Sequence, residues 1–149
     1  MPKFSRVLVP VQGHPDDDIA IRVACNFARI DKAKVFVVHV IEVPRSKALD
    51  AEMMQETARG EEALEQAELV SEQVRCAAEG ELLQAREAGP AIVDEARDKN
   101  VDLIVMGLPY RTRLGEFYVG STVNYILKHA PCRVWICREP MQPSSQEPR

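Results

Sequence analysis

A loop that spans residues 107–122 carries the residue types that bind phosphate groups. It begins with Gly107 and ends with Gly120, Ser121 and Thr122, directly before an amphipathic segment. Glycine lets a ligand approach the main chain, and the free amides and positive dipole end at the start of a helix attract an anion. Ser and Thr also form ordinary helix N-caps, so these residues taken alone favour a structural role.

The sequence does not indicate a catalytic centre. It shows no nucleophile with a partnered base, no pair of carboxylates and no metal cluster. The four cysteines form no C-x-x-C pair and have no histidine at metal-ligand spacing, so we interpret them as packing or surface thiols: Cys25, Cys76, Cys132 and Cys137. Glu116 is the only carboxylate in the loop and is expected to be solvated. We therefore expect that the protein is not an enzyme.

Single polar residues near the loop give weaker indications of ligand binding. Arg111 and Arg113 could neutralise phosphates, although solvated loop arginines fit the sequence equally well. His14 follows the first apolar run and is a candidate for a polar contact with a ligand. We expect His39 to pack inside a strand, and Asp102 to lie at the strand end that faces away from the loop.

Apolar runs rich in β-branched residues predict the strands that position this loop. Four of them are nearly continuous in apolar character, as in a parallel sheet covered on both faces: residues 6–11, 34–41, 101–107 and 132–138. Residues 80–87 alternate and predict a fifth strand nearer an edge. Helical patterns lie between the strands, at residues 15–31, 49–78, 89–100 and 121–130. This alternation predicts one α/β domain with right-handed crossovers over residues 1–138.

The composition excludes several classes of protein. The chain has 149 residues, enough for one domain with a core, and its net charge of −4 argues against a nucleic-acid partner. No apolar run reaches the roughly 18 residues that a membrane span needs, and no signal peptide opens the sequence, so we expect a cytoplasmic protein. An acidic helix face within residues 49–78 favours solvation over docking of a basic partner. The Pro- and Ser-rich tail at residues 139–149 is expected to be disordered.

The spacing within the loop gives the sequence a family resemblance. Gly107 to Tyr110 is G-x2-Y, and nine residues then separate Tyr110 from Gly120, which Ser121 follows. This resembles the G-x2-G-x9-G-[S/T] motif of nucleotide-binding universal stress proteins. RVLVPVQG resembles the first strand of that family, VFVVHVIEVP the second, and LKHAPCRVWICR the closing helix and strand. The likeness extends over residues 4–138.

The resemblance implies a fold, a ligand and a site. The fold is a doubly wound, Rossmann-like domain with a five-stranded parallel sheet in the order 3-2-1-4-5 and helices on both faces. The ligand is an adenine nucleotide, ATP or AMP, with Mg²⁺ present only alongside ATP, in a crevice beside the first and fourth strands. Main-chain atoms of Val11 and Val40 would meet the adenine. The predicted site comprises Pro10, Val11, Gln12, Val40, Met106, Gly107, Tyr110, Gly120, Ser121, Thr122 and Val123.

Two positions depart from the nucleotide-binding pattern of the family. Gln12 stands where binders place an aspartate, so it can form hydrogen bonds but supplies no fixed negative charge. Tyr110 replaces the second glycine and either walls a ribose or fills the phosphate space. The expected function is that of a small stress or regulatory protein that binds an adenine nucleotide weakly to moderately and signals through a protein partner not yet known. A nucleotide-independent interaction module, associated with a transporter or kinase, and a slow ATP hydrolase remain alternatives.

The last predicted strand, residues 132–138, indicates a homodimer. It ends the sheet in the implied order, and unpaired strand edges invite pairing. Alternation places Trp135 on the face opposite Val134 and Ile136. The alternative is an edge protected by Arg133 and Arg138, with Trp135 packed under a helix.

Overall fold

The computed structural model describes residues 3–109, 112–117 and 119–140, and its centre is a five-stranded parallel sheet. The strands are β1 (Arg6–Pro10), β2 (Lys34–Glu42), β3 (Ala78–Ala85), β4 (Leu103–Gly107) and β7 (Arg133–Cys137). Two short strands, β5 (Thr112–Arg113) and β6 (Glu116–Phe117), form a separate antiparallel hairpin. The order across the large sheet is β3-β2-β1-β4-β7, which confirms the predicted order 3-2-1-4-5.

Four helices cover the two faces of the sheet: α1 (Asp16–Asp31), α2 (Met54–Gln73), α3 (Ala88–Asp98) and α4 (Ser121–His129). Successive side chains of a strand point to opposite faces, so Val7 and Val9 of β1 pack in the core under α1 and α2, whereas Leu8 packs under α3 and α4. The near-continuous apolar character of the strands follows from this double coverage.

The second helix is shorter than the segment predicted at residues 49–78. It begins at Met54, because the preceding residues form a turn in which the Gln84 side chain donates hydrogen bonds to the carbonyls of Leu49 and Ala51. Gly60 does not interrupt the helix. It lies against the side chains of His39 and Leu82, where a Cβ atom would overlap both. Glycine at this position therefore permits close packing of α2 on the sheet.

Helices α1, α2 and α3 end in the same way, with a residue in the left-handed conformation. These residues are Lys32, Arg75 and Asn100, with φ of 58°, 55° and 53°. The amide of the following residue donates to a carbonyl five positions earlier, as in Cys76 to Ser71 at 2.9 Å. Each of these turns fixes the start of the next strand.

The tryptophan of the last strand packs inside the protein. The Trp135 ring makes edge contacts with Phe4 and with Phe27 of α1, at centroid distances of 5.3 and 4.7 Å. Val134 and Ile136 pack on the opposite face of the sheet, as alternation predicts. Across the described part of the chain, the helices lack the length and apolar character needed to cross a membrane.

Candidate functional site

The candidate site lies at the carboxyl edge of the sheet, where β1 and β4 end side by side. Val7 pairs with Leu103 and Leu8 with Ile104, so both strands run in register towards the same edge. The chain continues from β1 towards β2 and from β4 towards β7, in opposite directions across the sheet. Ligands of doubly wound folds bind at such a switch point.

The turn after β1 is organised by the carboxylate of Asp17. This side chain accepts hydrogen bonds from the amides of Gln12, Gly13 and His14, with Oδ2 at 3.1, 2.8 and 3.0 Å from the three nitrogens. Burial raises the pKa of Asp17, and the hydrogen bonds from the turn partly offset that effect. The structure shows that the capped amides belong to the turn before the helix.

Gly107, the first glycine of the loop, packs against the start of α1. A Cβ atom at this position would overlap the main-chain carbonyl of Asp16. The absence of a side chain therefore lets α1 approach the end of β4. This contact places the start of α1, which follows the turn after β1, against the end of β4.

Gly120 opens α4 with a conformation that suits glycine alone, at φ 84° and ψ 163°. A Cβ atom built there would have no neighbour within 4 Å, so the reason for glycine is the backbone conformation. Ser121 and Thr122 are the first residues of α4, the N-cap residue Gly120 has no side chain to cap them, and no side chain among the described residues accepts a hydrogen bond from their amides. Its first amides are thus available to an anion at the crevice.

The two main-chain positions predicted to meet adenine differ in their surroundings. The amide of Val11 donates to the carbonyl of Val38 at 2.9 Å, and its carbonyl lies 2.9 Å from Nδ1 of His39. His39 thus packs at the end of β1, as a structural histidine. Val40 lies in β2 and is half-buried. Its role in contacting adenine stays a prediction.

The remaining described members of the predicted site are core residues or exposed turn residues. Pro10 ends β1 and is buried, and Met106 and Val123 are 2% and 5% exposed in one cluster beneath α3 and α4. They support the crevice from below. The side chain of Gln12 is exposed at its rim.

The middle of the loop is a hairpin that turns at Leu114 and Gly115. Both residues have positive φ, 53° and 80°, and Leu114 is fully exposed. Tyr110 and Arg111 lie outside the described residues, so the predictions for their side chains stay predictions. The hairpin places an apolar side chain at the outermost point of the loop.

A broad surface groove adjoins the site on the side of α1 and α2. Its volume is about 680 Å³, and it is lined by the turn after β1, from Gln12 to Pro15, and by α2 residues that include Arg59 and Gln66. Gly107, Gly120 and Ser121 are not part of its lining. Among the described residues, the groove and the crevice therefore share the turn after β1.

Other polar residues singled out in the sequence have structural partners. Nδ1 of His14 lies 2.9 Å from the carboxylate of Asp16, at the rim of the groove. Asp102 accepts hydrogen bonds from the amides of Ser5 and Arg6, and so joins β4 to β1 at the amino edge of the sheet. That edge is opposite the crevice, as predicted.

Comparison with known families gives a match that covers most of the chain. The model of the universal stress protein family matches residues 3–138. A universal stress protein of Methanocaldococcus jannaschii is 29% identical over 143 residues, which cover 92% of this chain and 84% of that protein.

Solved structures share the fold. A universal stress protein from Archaeoglobus fulgidus in complex with dAMP superposes with a TM-score of 0.73 at 20% identity, covering 91% of this chain and 98% of that one. A universal stress protein family protein from Arabidopsis thaliana with AMP bound gives a TM-score of 0.66 at 16% identity, covering 91% and 92% of the two chains.

Proposed function

The chain belongs to the universal stress protein family, and on that basis we propose that it binds an adenine nucleotide, ATP or AMP, in the crevice where β1 and β4 end. The observation that carries this proposal is the start of α4 at Gly120, where the first amides have no side-chain acceptor among the described residues. Its free amides suit a phosphate group. The dAMP and AMP bound by the two structural relatives support the same class of ligand.

The affinity of the proposed site is weak to moderate, micromolar or weaker. Gln12 provides no carboxylate for the nucleoside, and both main-chain polar groups of Val11 already have partners in β2. Losing two or three hydrogen bonds at about 0.5–1.5 kcal/mol each weakens binding by about one to three orders of magnitude. Mg²⁺ would accompany only ATP, and the proposal includes no efficient hydrolysis.

The proposed role is regulatory, and its proposed place is the cytoplasm. A protein partner that is not yet identified would respond to the nucleotide-bound state. The engaged main chain of Val11 favours one alternative, a module that binds its partner without nucleotide. A direct measurement separates the two functions. Calorimetric titration with ATP and with AMP is expected to show binding in the micromolar range or weaker. Heat-released supernatant of the purified protein, analysed by absorbance and chromatography, is expected to contain adenine nucleotide at only a small fraction of the protein, because weakly bound nucleotide dissociates during purification. Its absence, together with no calorimetric signal for ATP or AMP, would leave the interaction module.

The amides of α4 can be tested one at a time at Ser121. Proline is tolerated at the first position of a helix, so Ser121→Pro removes one amide donor without breaking α4. We expect ATP affinity to fall about tenfold, the effect of one hydrogen bond to a charged group. Ser121→Ala retains the amide and serves as the control, with a smaller loss measured by the same calorimetry. Equal affinities of all three proteins would show that the start of α4 does not bind the phosphates.

The two departures from the family motif can be reversed together. The double substitution Tyr110→Gly and Gln12→Asp is expected to tighten ATP binding about tenfold or more, because it restores space in the loop and the carboxylate at the end of β1. Calorimetry on the single variants separates the two effects. Weaker binding by Tyr110→Gly would show that Tyr110 stacks on the ligand and does not obstruct it.

The proposed oligomeric state is a homodimer that forms through β7. The strand ends the sheet, and its unpaired edge is what supports this proposal. Trp135 packs against Phe4 and against Phe27 of α1, as the alternative of a protected edge expects. Light scattering over a range of concentrations is expected to give twice the chain mass of 16.7 kDa. A constant mass of 16.7 kDa would show that Arg133 and Arg138 protect the edge.

A further inference from the structure

Two cysteines that lie far apart in the sequence are neighbours in the structure. Cys25 is in the middle of α1 and is fully buried in the core, and Cys76 packs against the same cluster from the turn between α2 and β3. Arg29, one turn after Cys25 on α1, contacts the carbonyl of Val74, two residues before Cys76, so the two cysteines lie at the same junction of α1 with the end of α2. Sequence spacing does not indicate this pair, because the contact depends on how α1 packs against the end of α2.

The position of Cys76 is fixed by the turn that ends α2. Arg75 takes the left-handed conformation, and the Cys76 amide donates to the carbonyl of Ser71 at 2.9 Å. The guanidinium of Arg29 donates to the carbonyl of Val74 at 3.0 Å, which fastens α1 to the same turn. These contacts hold the turn that carries Cys76 against α1, the helix that carries Cys25.

The two thiols differ in exposure and in acidity. Cys76 is half-buried and open to small solutes, whereas Cys25 is closed to solvent. The hydrogen bond from Cys25 and the charge of Arg29 lower the pKa of Cys76. The same hydrogen bond and burial raise the pKa of Cys25. A partly exposed thiol of lowered pKa beside a second, buried thiol is the arrangement of a cysteine pair that reacts with oxidants.

We propose that Cys76 reacts with hydroperoxides and that Cys25 then closes a disulfide with it. The Cys76 thiolate attacks one peroxide oxygen, and the O–O bond breaks. The peroxide is reduced to an alcohol, or to water from hydrogen peroxide, as it takes up a proton, and Cys76 becomes a sulfenic acid. The sulfur of Cys25 next attacks the sulfur of Cys76. The S–O bond breaks, and the hydroxide takes the Cys25 proton and leaves as water. A dithiol such as reduced thioredoxin would reverse the change by exchange.

The other two cysteines provide a matched background. Cys132 lies directly before β7 and Cys137 is its last residue, and burial raises the pKa of both thiols. A Cys132→Ser, Cys137→Ser protein therefore retains only the proposed pair. Treatment with hydrogen peroxide at low excess is expected to reduce its intact mass by about 2 Da, the mass of two hydrogen atoms, and reductant is expected to restore it. Proteolysis of the oxidised protein should yield one peptide pair joined through Cys25 and Cys76.

The order of the two steps is tested with one more variant. Cys25→Ala on the same background removes the second thiol, and a sulfenic acid at Cys76 is then expected to accumulate and to be trapped by dimedone. If this variant does not fold, the mass and peptide analysis of the protein with both cysteines decides the question alone. Oxidation of Cys76 by two or more oxygens without a link would overturn the proposal. A disulfide between two chains, or a Cys76 that reacts no faster than glutathione, would also overturn it.

Discussion

Replacing Asp17 with alanine is expected to lower the free energy of unfolding by about 3 kcal/mol, because three partly buried amides would lose their acceptor. The amides belong to Gln12, Gly13 and His14, and the turn they form has no other acceptor placed for all three. Chemical denaturation with far-UV circular dichroism measures the change. The same variant should disorder the rim of the nucleotide crevice, so ATP affinity should fall with stability.

Asp18 provides the matched control for this substitution. It lies in the same first turn of α1, at the same end of the helix dipole, but its carboxylate contacts only the exposed side chain of Gln66, at 3.3 and 3.5 Å. Asp18→Ala is therefore expected to change stability by no more than about 0.5 kcal/mol. Equal losses for the two variants would mean that helix-dipole stabilisation, and not the turn, explains the effect of Asp17.

The pH dependence of a second variant tests the charge state of Asp17. The folded-state pKa of Asp17 is raised above its ordinary value of 3.8, mainly by burial, so the folded protein holds this proton more tightly than the unfolded chain does. The resulting stabilisation is present below pH 3.8 and is lost as pH rises through the folded-state pKa. Asp17→Asn has no such proton. The free energy of unfolding of wild type, relative to that of Asp17→Asn, should therefore fall as pH rises from 3.5 towards neutrality. In this range the raised pKa of Asp17 makes the folded and unfolded states differ in protonation.

The fold could be predicted from the sequence because its signals are local. β-branched apolar runs such as Val35 to Val38 are buried on both faces, and the helical patterns between them have the length of crossovers. The strand order came from the family resemblance, since no local pattern shows which strands are neighbours. Helix ends were less predictable. Lys32, Arg75 and Asn100 adopt a left-handed conformation that usually indicates glycine.

The candidate site was predictable only where a single residue determines its own conformation. Gly120 is such a residue, because its φ and ψ suit glycine in any context. The role of Asp17 depends on a turn that folds back over the helix start, and the pairing of Cys25 with Cys76 depends on the packing of α1 on α2. The Asp17 bonds span only three to five residues, but they depend on the backbone conformation of the turn. The cysteine contact joins segments that are distant in the sequence, so it follows from tertiary packing.

Gly107→Ala is expected to destabilise the protein by about 3 kcal/mol, because the added methyl group would overlap the main-chain carbonyl of Asp16. A main-chain atom cannot rotate away as a side chain can, so the start of α1 would have to shift from the end of β4. Gly80→Ala is the matched control. Its nearest neighbour is the Leu64 side chain at 3.5 Å, an ordinary contact, and its effect should stay within about 0.5 kcal/mol.

The same variant distinguishes two explanations for glycine at position 107. If Gly107 served only to admit a phosphate, Gly107→Ala would unfold at the same denaturant concentration as wild type and lose ATP binding. If glycine at this position instead serves the packing of α1, Gly107→Ala should unfold at a lower denaturant concentration than wild type. The main effect would be a lower free energy of unfolding. The protein that stays folded would also bind ATP more weakly, because the displaced start of α1 carries the turn of Gln12 and Asp17 with it. Denaturation curves and calorimetry on one preparation of each protein decide between them, and an unchanged midpoint would refute the packing explanation.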